Sequence, residues 1–350
     1  MYGRKITLGP LRRSRFEQTI AHLFSHRAAS RPGQWSRAAS LSLAGLVFLG
    51  FGSRGTPGGR GDHALRLDHV PIVVHDLESA TATYRDLLGF SIKPGRRHPN
   101  GLHNAHVKFR DGSALELITV QEPTDKLSRE YARLLETGEG AVFVSLHGGP
   151  IAGLAEAART LGLPATTVGG SNFEWLVVPP AHPLHYLFFI DLRSPPVDEE
   201  QHLTHTNTAL RLASVWVITP AVNAADGLLG RLGARRCATG AASASRAESE
   251  PGAAADTSED VEFVREIGLD SGSLLAVPIE AAFDPGWPIV GVTVEVADLE
   301  AARRFAAALL RRQLPVEEDW RGRFVRIPPS RTHGVWIEFL EPGTMGQSSP

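Results

Sequence analysis

"LDHVPIVVHDLESATATYRDLLGF", residues 67 to 90, sets the plan of the chain. Its opening "LDHVPIVV" is a β-rich run, and "DLESATATYRDLL" then places Leu77, Ala80, Tyr84, Leu87 and Leu88 on one helical face. Asp76 is positioned to cap that helix and Gly89 to end it. "FSIKP", "HNAHVKF" and "SALELITV" follow as three short strands, with "RDGS" as a hairpin turn. The predicted unit is strand, helix, strand, strand, strand.

Working outward, the same order returns near the C-terminus. "VGVTVEVADLEAARRFAAALL" is a strand running into a helix, and "GRFVRIPPSRTHGVWIEFLEP" gives two strands about a turn. "DLESA" at 76–80 recurs as "DLEAA" at 298–302, and Glu116 recurs as Glu338, both 222 residues on. One register aligns the strand-helix junction and the last strand together. Two weaker copies lie between, one starting at "AVFVSLHGGPIAGLAEAARTLGL" and one at "RLASVWVITPAVNAADGLLGRLGA". Four copies of one plan imply two paired domains, because a single copy cannot bury its own apolar face.

The domain limits follow from composition. Units one and two occupy 63–192, and units three and four occupy 208–342. The polar, proline-bearing stretch 193–207 is a linker, in which His202 and His205 of "HLTHTN" are expected to be solvated. Residues 238–260 are low-complexity Ala/Ser/Glu and are expected to be a disordered insertion; 343–350 is a tail. Residues 1–62 are expected to be a disordered leader with a short apolar segment at 38–52, less than the roughly 20 apolar residues of a spanning helix. Its Arg/Ser-rich make-up fits an export or transit signal, or a reading frame begun too far upstream. The location is therefore exported or organellar if the leader functions, and cytoplasmic otherwise.

The 350 residues carry 42% hydrophobic and 21% charged residues with a net charge of -2, which describes a globular chain with no general attraction to nucleic acid. No membrane partner is expected, a small molecule is, and homo-oligomer formation is left open. Cys237 is the single cysteine, so there is no intrachain disulfide and no Cys-rich zinc site. Trp175, Trp216 and Trp336 are expected in sheets and core. "GRGDH" and "HGGP" lack the strand-to-helix context of a phosphate cradle, and spacing alone identifies no Ser-His-Asp triad.

The unit order, with the opening stretch and the closing "ALELI" strand, resembles the vicinal oxygen chelate superfamily of glyoxalase I, extradiol dioxygenases and the bleomycin-resistance proteins. "GRRHPNGLHNAHVKFRDGSALELI", 95–118, is similar to its glyoxalase-like domain group. The resemblance implies an α+β fold in which four βαβββ units form two glyoxalase-like domains with curved mixed sheets. It also implies a divalent metal held by a first-strand residue and a last-strand Glu, here His69 and Glu116.

Period-2 alternation agrees, placing Leu67, His69, Pro71 and Val73 on one face of the first strand and Val70, Ile72 and Val74 on the other. Imidazole plus carboxylate suits Zn²⁺, Fe²⁺, Mn²⁺ or Ni²⁺. In the second unit the matching positions fall on Val142 and Phe189, in the third on Ala213 and Ala276, and in the fourth on Gly291 and Glu338. Glu338 or His103 is expected to move a proton, and His98, His103 and Asn104 to contact substrate. Two functions follow: a metal-assisted lyase, isomerase or dioxygenase acting on a small oxygen-chelating substrate, or a metal-free protein that sequesters a small molecule, as the bleomycin-resistance branch does.

Overall fold

The computed structural model describes residues 64–169, 173–194, 197–237, 263, 265–278 and 287–343. The leader, the insertion and all of the tail beyond Gly343 lie outside the described residues.

In the first unit β1 (Arg66–Val73) leads to α1 (Leu77–Ala82), which widens into a π turn over Thr83–Leu87, and then to β2 (Lys93–Arg97), β3 (Leu102–Lys108) and β4 (Ala114–Val120). Helix α2 (Lys126–Leu135) precedes the second unit: β5 (Gly140–Ala141), β6 (Val144–His147), α3 (Ile151–Thr160), β7 (Thr166–Gly169), β8 (Phe173–Val177) and β9 (Leu187–Leu192). After the short α4 (Glu200–Leu203) the third unit contributes β10 (Ala209–Ile218), α5 (Thr219–Arg231), β11 (Arg235–Cys237), β12 (Arg265–Gly268) and β13 (Ser273–Val277). The fourth has β14 (Ile289–Val296), α6 (Leu299–Leu310), β15 (Glu317–Asp319), β16 (Gly322–Ile327) and β17 (Trp336–Pro342).

The repeated "DLE" has a physical meaning. The Asp76 carboxylate accepts from the N–H groups of Glu78 and Ser79, and Asp298 accepts from Ala301 at the start of α6. Each cap is worth about 1 kcal/mol.

Within the first unit β1 runs parallel to β4, and β3 lies antiparallel between β4 and β2. Neighbouring units join through their first strands: β1 is antiparallel to β6, and β10 to β14. The short β5 touches both β1 and β14, so the ladder continues through all seventeen described strands. The fold is α+β, with mixed sheets built from four βαβββ units.

The helix-covered faces of the four units share one core. Phe90 packs 6.1 Å from Tyr84 and 5.7 Å from Phe339, ring centre to ring centre. On the opposite face of the first sheet α2 inserts Tyr131 and Leu135 among Ile118, Phe143 and Trp175. The sequence reading missed α2, although Asp125 and Ser128 form a capping box that announces it. A template of one helix per unit had no place for it.

The linker is docked, which corrects the expectation of a solvated segment. His205 is buried; its Nε2 donates to the Lys108 carbonyl at 2.9 Å and its Nδ1 accepts from Ser91 N–H at 3.0 Å. Burial pushes this imidazole down to about 4, keeping it neutral. Asn207 is fully buried and donates to the Leu88 carbonyl. Among the described residues no helix is long and apolar enough to cross a membrane.

Candidate functional site

A β-bulge builds the site. The register between β1 and β6 shifts between Leu67 and His69, and a bulge inserts one residue and re-aims the side chains around it. Leu67 consequently joins Val70 and Ile72 in the helix-side core, while Asp68 and His69 both meet residues of the opposite face. Strict alternation had put Leu67 with His69 and gave Asp68 no role.

His69 Nδ1 lies 2.5 Å from Asp68 Oδ1, and both groups are buried. An ionised carboxylate only accepts, so the proton sits on Nδ1 and the Nε2 lone pair points onward. Glu116 Oε2 lies 3.7 Å from Nε2 and has no hydrogen bond. The other oxygen, Oε1, accepts from Asn104 Nδ2 at 2.6 Å. His106, opposite Glu116 in the β3–β4 ladder, brings Nε2 to 3.8 Å from Oε1.

Burial pushes Glu116 up to about 7, against the pull of His69, Asn104 and Lys108. Burial likewise brings the Lys108 ammonium down to about 7, opposed by Asp198 and Asp68, and holds His106 well below the usual imidazole range. Lys108 is paired with linker Asp198 at 3.6 Å.

The expected residues divide. His69, Glu116 and Asn104 come together, and His98 is buried just before β3. His103 does not join them: it alternates with Asn104 along β3 and, half-buried, shares the face of Val107, which belongs to the helix-side core. Glu338 lies in the fourth unit, on β17. It is gripped by Arg321 at 2.5 and 3.1 Å, Arg326 at 2.9 Å and Thr293 at 2.8 Å, which occupies both oxygens. Asp68 and Lys108 were missed, and His106, noted on the Asn104 face of the imidazole-rich stretch 98–106, was given no role. The adjacent Asp-His pair was the only signal for the first, and alternation with Asn104 for the other two.

Among the described residues the second unit offers no donor at the two equivalent positions, which differ from those read in the sequence. Asp76 and Pro150 cap equivalent helices, so His69 corresponds to Phe143, one residue past Val142. The π turn adds a residue to the first helix, and counting back from Gly89 and Gly162 therefore slipped by one. The parallel β6–β9 register pairs Phe188 with Ser145 as β1–β4 pairs Glu116 with Pro71, so Phe188, not Phe189, holds the position equivalent to Glu116; Phe189 is in the helix-side core. In the fourth unit Gly291 has Trp216 against it: a Cβ there would come within 2.6 Å of the indole.

Among the described residues no three His, Cys, Asp or Glu side chains stand where one ion would be held. A catalytic divalent site ordinarily has three protein ligands, so the donor set present does not fit a resident metal.

Beside the polar group lies an apolar pocket of 270 Å³, walled by Leu127 and Tyr131 of α2 and by Phe143, Trp175, Val177 and Phe188. The Phe188 ring meets the His69 ring edge-on at 5.6 Å, standing between pocket and polar group. At the rim His185 Nε2 donates to Glu130 at 2.6 Å and Nδ1 to the Val178 carbonyl at 2.6 Å. Burial alone would lower this imidazole, but the Glu130 contact outweighs it and the net shift is upward.

Residues 67–233 match the family model of a glyoxalase-like domain. Over 68 residues the chain is 32% identical to the uncharacterized protein YwbC of Bacillus subtilis (strain 168), covering 19% of this chain and 54% of that protein. The chain thus spans about half the length of the curated relative it matches. A variant of homoprotocatechuate 2,3-dioxygenase from B. fuscum, solved with HPCA, superposes on 84% of this chain and 75% of its own at a TM-score of 0.52 and 15% identity. A second variant, from Brevibacterium fuscum, covers 85% and 77% at a TM-score of 0.51 and 15% identity. At that identity the likeness concerns the fold alone. The fold is like that of these extradiol dioxygenases, and residues 67–233 match a glyoxalase-like domain.

Proposed function

We propose that the first glyoxalase-like domain takes up one small, mainly apolar, ring-sized molecule in the pocket under α2, without a resident metal. The observation that carries this is the pocket itself. Its 270 Å³ lies near the lower edge of the usual ~300–1,000 Å³ for ligand sites. Its walls are aromatic, and phenylalanines occupy the places where the second unit would offer ligands. The buried Asp68–His69–Glu116 group lies behind Phe188 and faces the polar end of the bound molecule when that ring turns aside. Glu116, raised toward neutrality, then exchanges a proton with it.

Titration calorimetry of the full chain with a panel of phenols, catechols and naphthols tests this reading. Saturable binding of at least one, abolished by the pocket-filling Leu127→Trp, is the expected result. No binding by any member, or binding indifferent to Leu127→Trp, contradicts it.

A second reading, a metal-assisted enzyme, is favoured by one observation. Asp68 aims His69 Nε2 at a Glu116 oxygen that has no hydrogen bond, and their 3.7 Å separation suits two ligands of one ion at about 2.1 Å each. It requires a third donor beyond those the described residues bring together.

A further inference from the structure

Where the first and fourth units meet, in a cleft lined by other residues than the pocket just described, three residues remote in sequence form a chain of contacts. His333 Nδ1 lies 2.8 Å from Glu139 Oε2, and His333 Nε2 lies 3.2 Å from Thr83 Oγ1. Since a carboxylate accepts, Nδ1 carries the proton and Nε2 presents its lone pair to the Thr83 hydroxyl. This is the order nucleophile, base, orienting acid, which is recognised by geometry and not by sequence position.

Each member is held by unusual local structure. His333 has φ 61, in the left-handed region that a non-glycine side chain rarely adopts. Gly334 follows at φ 81, where a Cβ would come within 1.8 Å of the Glu139 carbonyl oxygen. The Tyr84 ring stacks on the His333 ring at 6.3 Å and fixes its plane. Thr83 begins the π turn, a feature that recurs at functional sites. Strained backbone of this kind persists only where the surroundings over-determine it, and it clusters at active sites. Glu139 also accepts the His75 backbone N–H at 2.7 Å. Burial pushes its carboxyl up, but the hydrogen bonds from His333 and His75 outweigh this and hold it ionised.

Thr83, His333 and Glu139 all line an open cleft of 560 Å³. Leu87 and Leu309 form its apolar wall, and the exposed Arg331 stands at its rim. A second hollow of 490 Å³ shares Leu87, Leu309 and Arg331. The cleft therefore offers a hydroxyl, a base, a cation and a greasy wall together.

We propose that Thr83, His333 and Glu139 are the nucleophile, general base and orienting acid of a second site, which hydrolyses small carboxylic esters with a short apolar arm. Thr83 Oγ1 forms a bond to the ester carbonyl carbon as its proton passes to His333 Nε2. Arg331 faces the oxyanion that develops. The carbon–oxygen bond to the alcohol breaks, the alcohol leaves with the proton from Nε2, and Thr83 keeps the acyl group. Water, deprotonated by the same nitrogen, then adds to the acyl carbon and releases the acid, and Nε2 returns the proton to Oγ1. The Thr83 hydroxyl also donates to the Ser79 carbonyl at 3.1 Å, so it must rotate from that acceptor to Nε2.

The test uses the full chain with p-nitrophenyl acetate, followed by peptide mass spectrometry of rapidly quenched samples. Expected is hydrolysis above buffer that falls at least about tenfold in Thr83→Val and in His333→Gln, below the ~10²–10⁴ general-base range of a tuned site. Thr83→Ser is expected to keep the activity, with the acetyl group found at position 83. Wild-type rates in a folded Thr83→Val, or acetyl groups on lysines and none at position 83 in either the wild type or Thr83→Ser, would overturn the proposal. A merely structural clip between the domains would lower the melting temperature in these variants without leaving an acyl group on residue 83.

Discussion

His69 Nδ1 and Asp68 Oδ1 are neighbours in sequence and lie 2.5 Å apart on the cleft side of the same strand. Regular β geometry forbids that, because adjacent side chains point to opposite faces. The bulge permits it, and the site depends on it: Asp68 fixes the tautomer of His69 and so decides what Nε2 offers to Glu116.

Asp68→Ala is expected to destabilise the chain by about 1.5–3 kcal/mol, the range for hydrogen bonds to charged groups. Asp68→Asn is expected to cost less, because its amide oxygen still accepts from Nδ1. Urea unfolding of the three proteins checks the order.

Glu116 predicts a pH dependence. Its folded value, about 7, lies above its unfolded value of 4.5, so the native state binds the extra proton between them. Stability from this group is complete below pH 4.5 and is lost as pH rises toward 7. His205, lowered to about 4 by burial, acts with the opposite sign over nearly the same window. The difference between wild type and Glu116→Gln isolates the first. Thermal melts from pH 5 to 8 are expected to show the variant gaining on the wild type as pH rises.

If the second unit's phenylalanines are what leave the donor set short, supplying one donor completes it. Phe188→His places an imidazole beside His69 and Glu116 and is expected to bind about one Zn²⁺ per chain, as three-ligand sites do. Competition with a chromophoric chelator measures it.

Glu338 is structural in this account. Glu338→Gln takes the carboxylate from Arg326 and leaves Arg321 with Asp319, and is expected to cost about 3–5 kcal/mol, as breaking buried pairs does. Ligand affinity in the first domain is expected to stay unchanged in whatever fraction remains folded, by calorimetry.

Much of the fold was legible because its signals are local. Asp76 and Asp298 announce two helices, and the 222-residue register between Glu116 and Glu338 holds in the sheets, where each closes its unit's parallel pair with the first strand. His69, Glu116 and Asn104 were legible for the same reason. Asp68 was not, because a bulge leaves no mark in an apolar pattern. Phe143 and Phe188 were displaced by one residue because a π turn hides an insertion inside a helix. Alternation separated His103 from Asn104, but it could not say which of the two faces the cleft. Glu338 was correct as the repeat of Glu116, but the arginines that occupy it come from β16 and the turn before it, which no period connects to it. The aromatic pocket depends on α2 folding back over the sheet, a tertiary contact with no sequence period.

Metal content tests the central claim most directly. The full chain, purified without chelator or affinity tag and reconstituted with Zn²⁺, Fe²⁺, Mn²⁺ and Ni²⁺ in turn, would be measured by inductively coupled plasma mass spectrometry beside His69→Ala. The account predicts no stoichiometric metal in either protein. About one ion per chain in the wild type, absent from His69→Ala, would contradict it and establish the metal-assisted reading.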